Sequence, residues 1–253
     1  MSKIAMITGA TSGFGKACAE KFGCNGYDLI ITGRREDRLE QLQKELQQHY
    51  NVAVFPLVFD VRNRKAVFAA IENLDEDWKQ ISVLINNAGL ALGRDYVDEA
   101  SLDDWDTMID TNLKGLLYVS KAVLPALISQ KNGHIINIGS TAAKEVYEKG
   151  NVYCASKHAV AAISEGMRVD LLRHGIKVTA IHPGAAETEF SLVRFKGNAD
   201  LASSVYTGFK PLTAADVADV VYYCTTLPAH VCINDLVLTS TAQANSFYLH
   251  KST

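Results

Sequence analysis

The feature that most restricts the fold is a glycine-rich stretch at the end of the first apolar run. Ile4 to Thr8 leads directly into Gly9-Ala10-Thr11-Ser12-Gly13-Phe14-Gly15, after which a helical pattern begins. Glycines at such a junction let the backbone approach a pyrophosphate at a helix N-terminus, where unpaired N–H groups and the helix dipole favour an anion. The next β-branched run, Asp28 to Thr32, follows soon enough for strand, loop, helix and strand to fit within about 32 residues, the size of one βαβ unit. A crossover of that kind returns the chain in the same direction, so the chain is committed to a parallel sheet from its start.

The alternation continues. Strands are expected at Ile4 to Thr8, Asp28 to Thr32, Val52 to Phe59, Val83 to Asn86, His134 to Ile138, Lys177 to His182 and Leu236 to Thr239. Between them, Arg35 to Tyr50 places Leu39, Leu42 and Leu46 on one stripe of a surface helix. Asp104 to Ile128 reads as a long, largely buried helix, interrupted only near its end by Pro125. Residues 187–211 break the pattern, and a connection of that length within a compact domain is usually functional, so a substrate lid is expected there. With 253 residues and 48% apolar composition, one α/β domain over 1–253 fits better than two small ones.

Several function classes are excluded. A net charge of −3 without a basic stripe provides no field for nucleic acid. No stretch reaches the roughly 18 apolar residues of a membrane span, and the first residues lack a secretory pattern, so a cytoplasmic location is expected. Cys18, Cys24, Cys154, Cys224 and Cys232 are odd in number and scattered, without metal-type spacing. They read as reduced, mostly buried thiols and no metal is expected.

The second strand ends Ile31-Thr32-Gly33-Arg34-Arg35, with guanidiniums where an NAD-binding chain would carry a carboxylate for the adenosine ribose. Arginine engages a 2′-phosphate with paired donors, whereas a carboxylate repels it, so NADP is expected over NAD. Asp60 and Val61, after the third strand, are placed to contact the adenine. Asn86-Asn87-Ala88-Gly89 ends the fourth strand, again at a carboxyl end where ligands of open α/β sheets bind.

Tyr153 and Lys157 stand at i and i+4, on one helix face, thirteen residues after Ser140. Bringing a phenol from a pKa of about 10 to near 7 requires roughly 4 kcal/mol in favour of the phenolate. One cation about 4 Å away supplies that much at the effective dielectric of a partly buried site. The constellation therefore points to hydride transfer, beside a phenol whose acidity the neighbouring ammonium raises.

Taken together, Thr8 to Gly15, Asp60, Asn86 to Gly89, Asn112, Ser140, Tyr153 with Lys157, and Pro183-Gly184 through Thr188 resemble the short-chain dehydrogenase/reductase family over nearly the whole chain. The resemblance implies a Rossmann-type, doubly wound seven-stranded sheet and a homotetramer or homodimer. It implies that Tyr153 gives a proton to the substrate carbonyl in reduction and takes one in oxidation. Lys157 would lower the phenol pKa and bind the nicotinamide ribose, while Ser140 would hydrogen-bond the substrate oxygen. Asn112 would join a water relay from Lys157, and Thr188, with the backbone after Pro183, would hold the nicotinamide carboxamide.

A narrower resemblance links the chain to NADP-dependent serine, L-allo-threonine and 3-hydroxy acid dehydrogenases, a branch that includes malonic semialdehyde reductases. It rests on Asp60 to Arg64, Asn86 to Gly93, Asp104 to Gly115, His134 to Ala142, Thr188 to Gly197 and Thr226 to His230. The lid carries Arg194 and Lys196, and Arg194 is the candidate partner for a substrate carboxylate. The chain departs from the branch in Ala143 to Gly150, which is more charged, and in a shorter loop after Gly184. Both touch the substrate pocket. Alternatives are a reductase of a bulkier ketone, sugar or 3-oxoacyl substrate, and a non-catalytic NADP(H)-sensing or scaffold protein.

Overall fold

The computed structural model describes residues 3–252. Seven parallel strands form one sheet: β1 (Ile4–Thr8), β2 (Asp28–Gly33), β3 (Val54–Val58), β4 (Ile81–Asn86), β5 (His134–Ile138), β6 (Lys177–Pro183) and β7 (Asp235–Leu238). Their spatial order is β3-β2-β1-β4-β5-β6-β7, so the chain winds outward from β1 in one direction and from β4 in the other. This is the doubly wound sheet the sequence leads one to expect.

The two-residue period of a strand sends alternate side chains to opposite faces. In β1, Ala5 and Ile7 face one core with Leu39, Leu42 and Leu46, while Ile4 and Met6 face the other with Val119, Val123 and Leu127. The first core is covered by α1 (Gly13–Gly23), α2 (Glu36–Tyr50) and α9 (Ala214–Thr226). The second is covered by α3 (Arg64–Glu72), α5 (Leu116–Gln130) and α6 (Asn151–Leu171). Each fully buried aliphatic side chain in these layers contributes about 1.5–3 kcal/mol relative to exposure.

The strand positions agree with the expectations to within two residues at every end; β3 is shorter than the run Val52 to Phe59. The long helix expected over 104–128 is divided: α4 (Leu102–Ile109) and α5 are joined by a π-helical turn, Asp110–Gly115. Such wide turns recur at functional sites, and this one holds Asn112, which is buried. Residues 187–211 are not irregular throughout; α7 (Glu189–Arg194) and α8 (Ala199–Ser204) lie within them. No helix among the described residues is long and apolar enough to cross a membrane.

Candidate active site

At the carboxyl ends of β1 and β4, where the two halves of the sheet diverge, a crevice of about 1200 Å³ opens. Every residue expected to meet cofactor or substrate lines it except Gly15, and among the expected catalytic residues only Asn112 lies outside its wall. The fold thus gathers into one space residues that the sequence scatters from Gly9 to Arg194.

The glycine loop is shaped by backbone constraints. Gly9 and Gly13 take φ of +67° and +53°, a region that disfavours side chains, and a Cβ on Gly15 would lie 2.3 Å from the Gly9 carbonyl oxygen. Gly15 thus acts from behind, by letting α1 pack onto the loop. Ser12 does not cap α1 with its side chain, which leaves first-turn N–H groups open toward the crevice. This is a cradle suited to a phosphate group. Asn87 fastens it to β4, donating from Nδ2 to the carbonyls of Thr8 (2.8 Å) and Gly9 (3.2 Å).

The two arginines after β2 take different positions. Arg35 donates from Nη2 to Thr11 Oγ1 (2.6 Å) and Ser12 Oγ (3.2 Å), so its guanidinium lies on the glycine loop. Arg34 is more exposed and pairs with Asp60 at 3.7 Å. Burial would raise the Asp60 carboxyl, but hydrogen bonds and charge from Arg62 outweigh it and hold the group below the usual carboxylate range. A third cation, Arg38, was not singled out from sequence, where it is one of many charges on an exposed helix face. Its Nη1 donates to both oxygens of Glu189 (2.9 and 3.1 Å), and the same carboxylate pairs with Arg35 at 3.4 Å. The start of α7 is thereby tied to the basic corner of the crevice.

At the other end, α6 carries Tyr153 and Lys157 inward, both buried. Ser140 follows β5 and caps the short 3-10 turn Thr141–Ala143, its Oγ accepting from Ala142 N at 3.1 Å. Burial pushes the Tyr153 phenol well up from its ordinary value, as does neighbouring Tyr147, while Ser140 and Arg194 act in the opposite direction. Lys157 donates from Nζ to the Ile138 carbonyl at 3.0 Å, and burial lowers its pKa to about 8. The expectation that the lysine sets the phenol's acidity thus meets a site in which burial is the largest influence on both groups.

Asn112 stands behind this pair. Its Oδ1 accepts from Leu90 N (2.8 Å), and Nδ2 donates to the Leu90 carbonyl (2.8 Å) and to Ser156 Oγ (3.0 Å). A Cβ on Gly89 would lie 3.2 Å from Asn112 Oδ1 and 3.5 Å from Lys157 Nζ, so the amide and the ammonium share the space that glycine leaves open.

Arg194, at the end of α7, brings the expected cation to the crevice wall. Arg194 is part-buried; Nη1 donates to Tyr147 Oη (3.1 Å) and Nε to the Gly93 carbonyl (3.3 Å). Its guanidinium carbon lies 5.6 Å from the Tyr153 ring centroid. Lys196, by contrast, is turned away onto Asp104 at 2.8 Å. Thr188 caps α7 by accepting from Phe190 N (3.2 Å) and packs beside Gly13, with 3.5 Å between its Cβ and the place of a glycine Cβ. Two further wall residues had escaped notice. Tyr147 lies in the charged segment, and Gln243 accepts from Ala185 N at 2.8 Å from a terminal stretch with no periodic pattern to mark it.

Comparison with known proteins matches this architecture. A family model described as short chain dehydrogenase covers residues 3–198. The chain is 47% identical over 249 residues to sulfoacetaldehyde reductase 2 of Chromohalobacter salexigens, covering 98% of both chains. It is 46% identical over 242 residues to an NADP-dependent 3-hydroxy acid dehydrogenase of Escherichia coli strain K12, covering 95% of this chain and 96% of the relative. Among solved structures, the closed form of a serine dehydrogenase complexed with NADP+ superposes with a TM-score of 0.91 at 45% identity, over 98% of this chain and 100% of the other. By its matched model, its near-complete coverage of these relatives and its shared sheet, the chain belongs to the short-chain dehydrogenase family.

Proposed function

We propose that this protein is an NADP(H)-dependent oxidoreductase that interconverts the 3-hydroxyl of a small 3-hydroxy acid and the corresponding carbonyl. Serine, L-allo-threonine and 3-hydroxypropionate are the leading substrates. The observation that carries the reading is the position of the Arg194 guanidinium over the Tyr153 ring, at one end of a crevice whose other end holds Arg35 on the glycine loop. Relatives named for a sulfonated aldehyde and for hydroxy acids support an anionic small substrate.

The residues fit the dinucleotide. Gly9 to Gly15 offer the phosphate cradle, Arg34 and Arg35 the 2′-phosphate partners, Asp60 and Val61 the adenine wall, and Pro183, Gly184 and Thr188 the opposite end. When bound, NADP(H) supplies or accepts the hydride. Tyr153 gives a proton to the carbonyl oxygen in reduction and receives it in oxidation. Ser140 donates to the same oxygen and stabilises charge developing there. Lys157 places an ammonium beside the ribose-binding side of the crevice, with Asn112 holding the Leu90 backbone and Gly89 in position beneath it. Arg194 receives the substrate's anionic group, and residues 187–211 serve as the lid.

Homotetramer assembly, with a homodimer as the smaller form, belongs to the same proposal; Val169 and Leu172, 69% and 76% exposed, provide apolar surface for it. A cytoplasmic location accords with five free cysteines and no disulfide among the described residues.

The test is turnover with NADP and with NAD on L-serine, L-allo-threonine and 3-hydroxypropionate. NADP-linked oxidation of these acids is expected. Turnover confined to larger uncharged alcohols would replace the substrate assignment, and tight NADPH binding without any turnover would replace the enzymatic one.

A further inference from the structure

His182 has no part in the roles above, yet it touches the residue that carries one of them. It is the penultimate residue of β6 and its side chain is fully buried, at 0% exposure. Nδ1 lies 3.2 Å from the Ser140 carbonyl oxygen, and Nε2 lies 3.0 Å from Asp235 Oδ2 at the start of β7. The same carboxylate oxygen accepts from Lys144 Nζ at 2.8 Å. Lys144 belongs to the charged segment by which this chain departs from its branch. The ring is also wedged against the backbone before the serine: a Cβ on Gly139 would lie 2.3 Å from His182 Nδ1.

The number of available protons decides what this contact can do. The Ser140 carbonyl and an ionised Asp235 are both acceptors, and a neutral imidazole has one N–H to offer them. Only the imidazolium satisfies both. Burial would raise the Asp235 carboxyl, but Lys144 and His182 outweigh it and hold it below the usual range, so the carboxylate anchors Nε2–H at neutral pH. For the ring itself burial lowers the pKa most, with Asp235 raising it and Lys144 lowering it, and the net direction is down. The Ser140 carbonyl also closes the 3-10 turn by accepting from Ala143 N at 2.8 Å. A donor at that oxygen therefore acts on the turn that orients the Ser140 hydroxyl.

We infer that His182 is a positioning residue for Ser140: anchored on Asp235, its imidazolium donates to the Ser140 carbonyl and orients the serine hydroxyl, whereas its neutral form keeps the Asp235 bond and releases the serine. The inference rests on Ser140 serving the reaction as proposed above. It also gives Lys144 a function, as the counter-charge that holds Asp235 in place.

The experiment is the pH profile of kcat, from about pH 5 to 9, for wild type, His182→Asn and His182→Gln. Asparagine carries an amide N–H near the Nδ1 position, and glutamine carries one near Nε2. Wild type is expected to fall by about threefold to tenfold as pH rises through the His182 ionisation, the net contribution of about one hydrogen bond reaching the serine through the turn. His182→Asn should lose that ionisation and stay on the upper plateau; His182→Gln should lose it and stay on the lower one. NADPH dissociation constants should be equal for all three. Equal kcat in the two variants, or a wild-type profile in either, overturns the inference. Should circular dichroism show both variants misfolded, Asp235→Asn, at a partly exposed side chain, replaces them. It must then move the wild-type ionisation to lower pH, and an unmoved profile overturns the inference. Ser140→Ala separates the two levels: full turnover in that variant removes the role assigned to Ser140, whereas its inactivity beside equal His182 variants removes only the positioning role.

Discussion

Arg194 and Tyr153 meet across the crevice, the guanidinium carbon 5.6 Å from the centroid of the phenol ring, although they lie on different helices. One side chain belongs to α7 and the other to α6. In the proposed reaction, a group bound to the guanidinium is thereby held near the Tyr153 phenol. The cation also opposes the effect of burial on the phenol.

Arg194→Leu removes a charge-assisted partner and leaves α6 intact. KM for a carboxylated substrate should rise by about tenfold to a hundredfold, corresponding to roughly 1.5–3 kcal/mol. KM for an uncharged alcohol of the same length should change little. Steady-state kinetics on the matched pair checks this, and equal losses on both would assign Arg194 to lid structure alone.

Tyr153→Phe keeps the ring packed on Phe190, 5.7 Å away between centroids, but removes the transferable proton. A fall in kcat of about a hundredfold to ten-thousandfold is expected, with NADPH affinity preserved. Near-normal turnover would end the acid/base assignment.

Arg35→Ala removes the guanidinium that rests on Thr11 and Ser12. Combined with Arg34→Ala, it should weaken NADPH binding by roughly a hundredfold or more and NADH binding far less, since only the former carries the dianionic 2′-phosphate. Fluorescence titration of both nucleotides decides it; parallel losses would place the arginines elsewhere in the binding scheme.

Lys157 is a buried ammonium whose pKa falls from 10.5 to about 8 through desolvation. The folded state binds its proton less tightly than the unfolded state, so the group destabilises the fold below about pH 8 and this cost shrinks as pH rises toward 10.5. Lys157→Met should therefore be inactive yet more stable than wild type at pH 7, by on the order of 1–3 kcal/mol. The advantage should diminish between pH 8 and 10. Chemical denaturation at several pH values measures it, and a less stable variant at neutral pH would show that the hydrogen bond to Ile138 outweighs desolvation.

Much of this was legible along the chain because it depends on local pattern. The glycine loop, the period-two apolar runs of β1 and β2, and the i, i+4 spacing of Tyr153 and Lys157 are short-range features whose geometry follows from strand and helix repeats. They were sufficient to lead to the parallel sheet, and they put the glycine loop, Tyr153 and Lys157 on the crevice that the structure contains. Tertiary structure decided the rest: that Arg35 rather than Arg34 lies on the glycine loop, that Glu189 ties α7 to Arg38, and that His182 bridges Ser140 to Asp235. These pairings join residues far apart in sequence. A charge or a buried imidazole carries no local mark of the partner that packing brings within hydrogen-bonding reach, nor of the desolvation that sets its proton affinity.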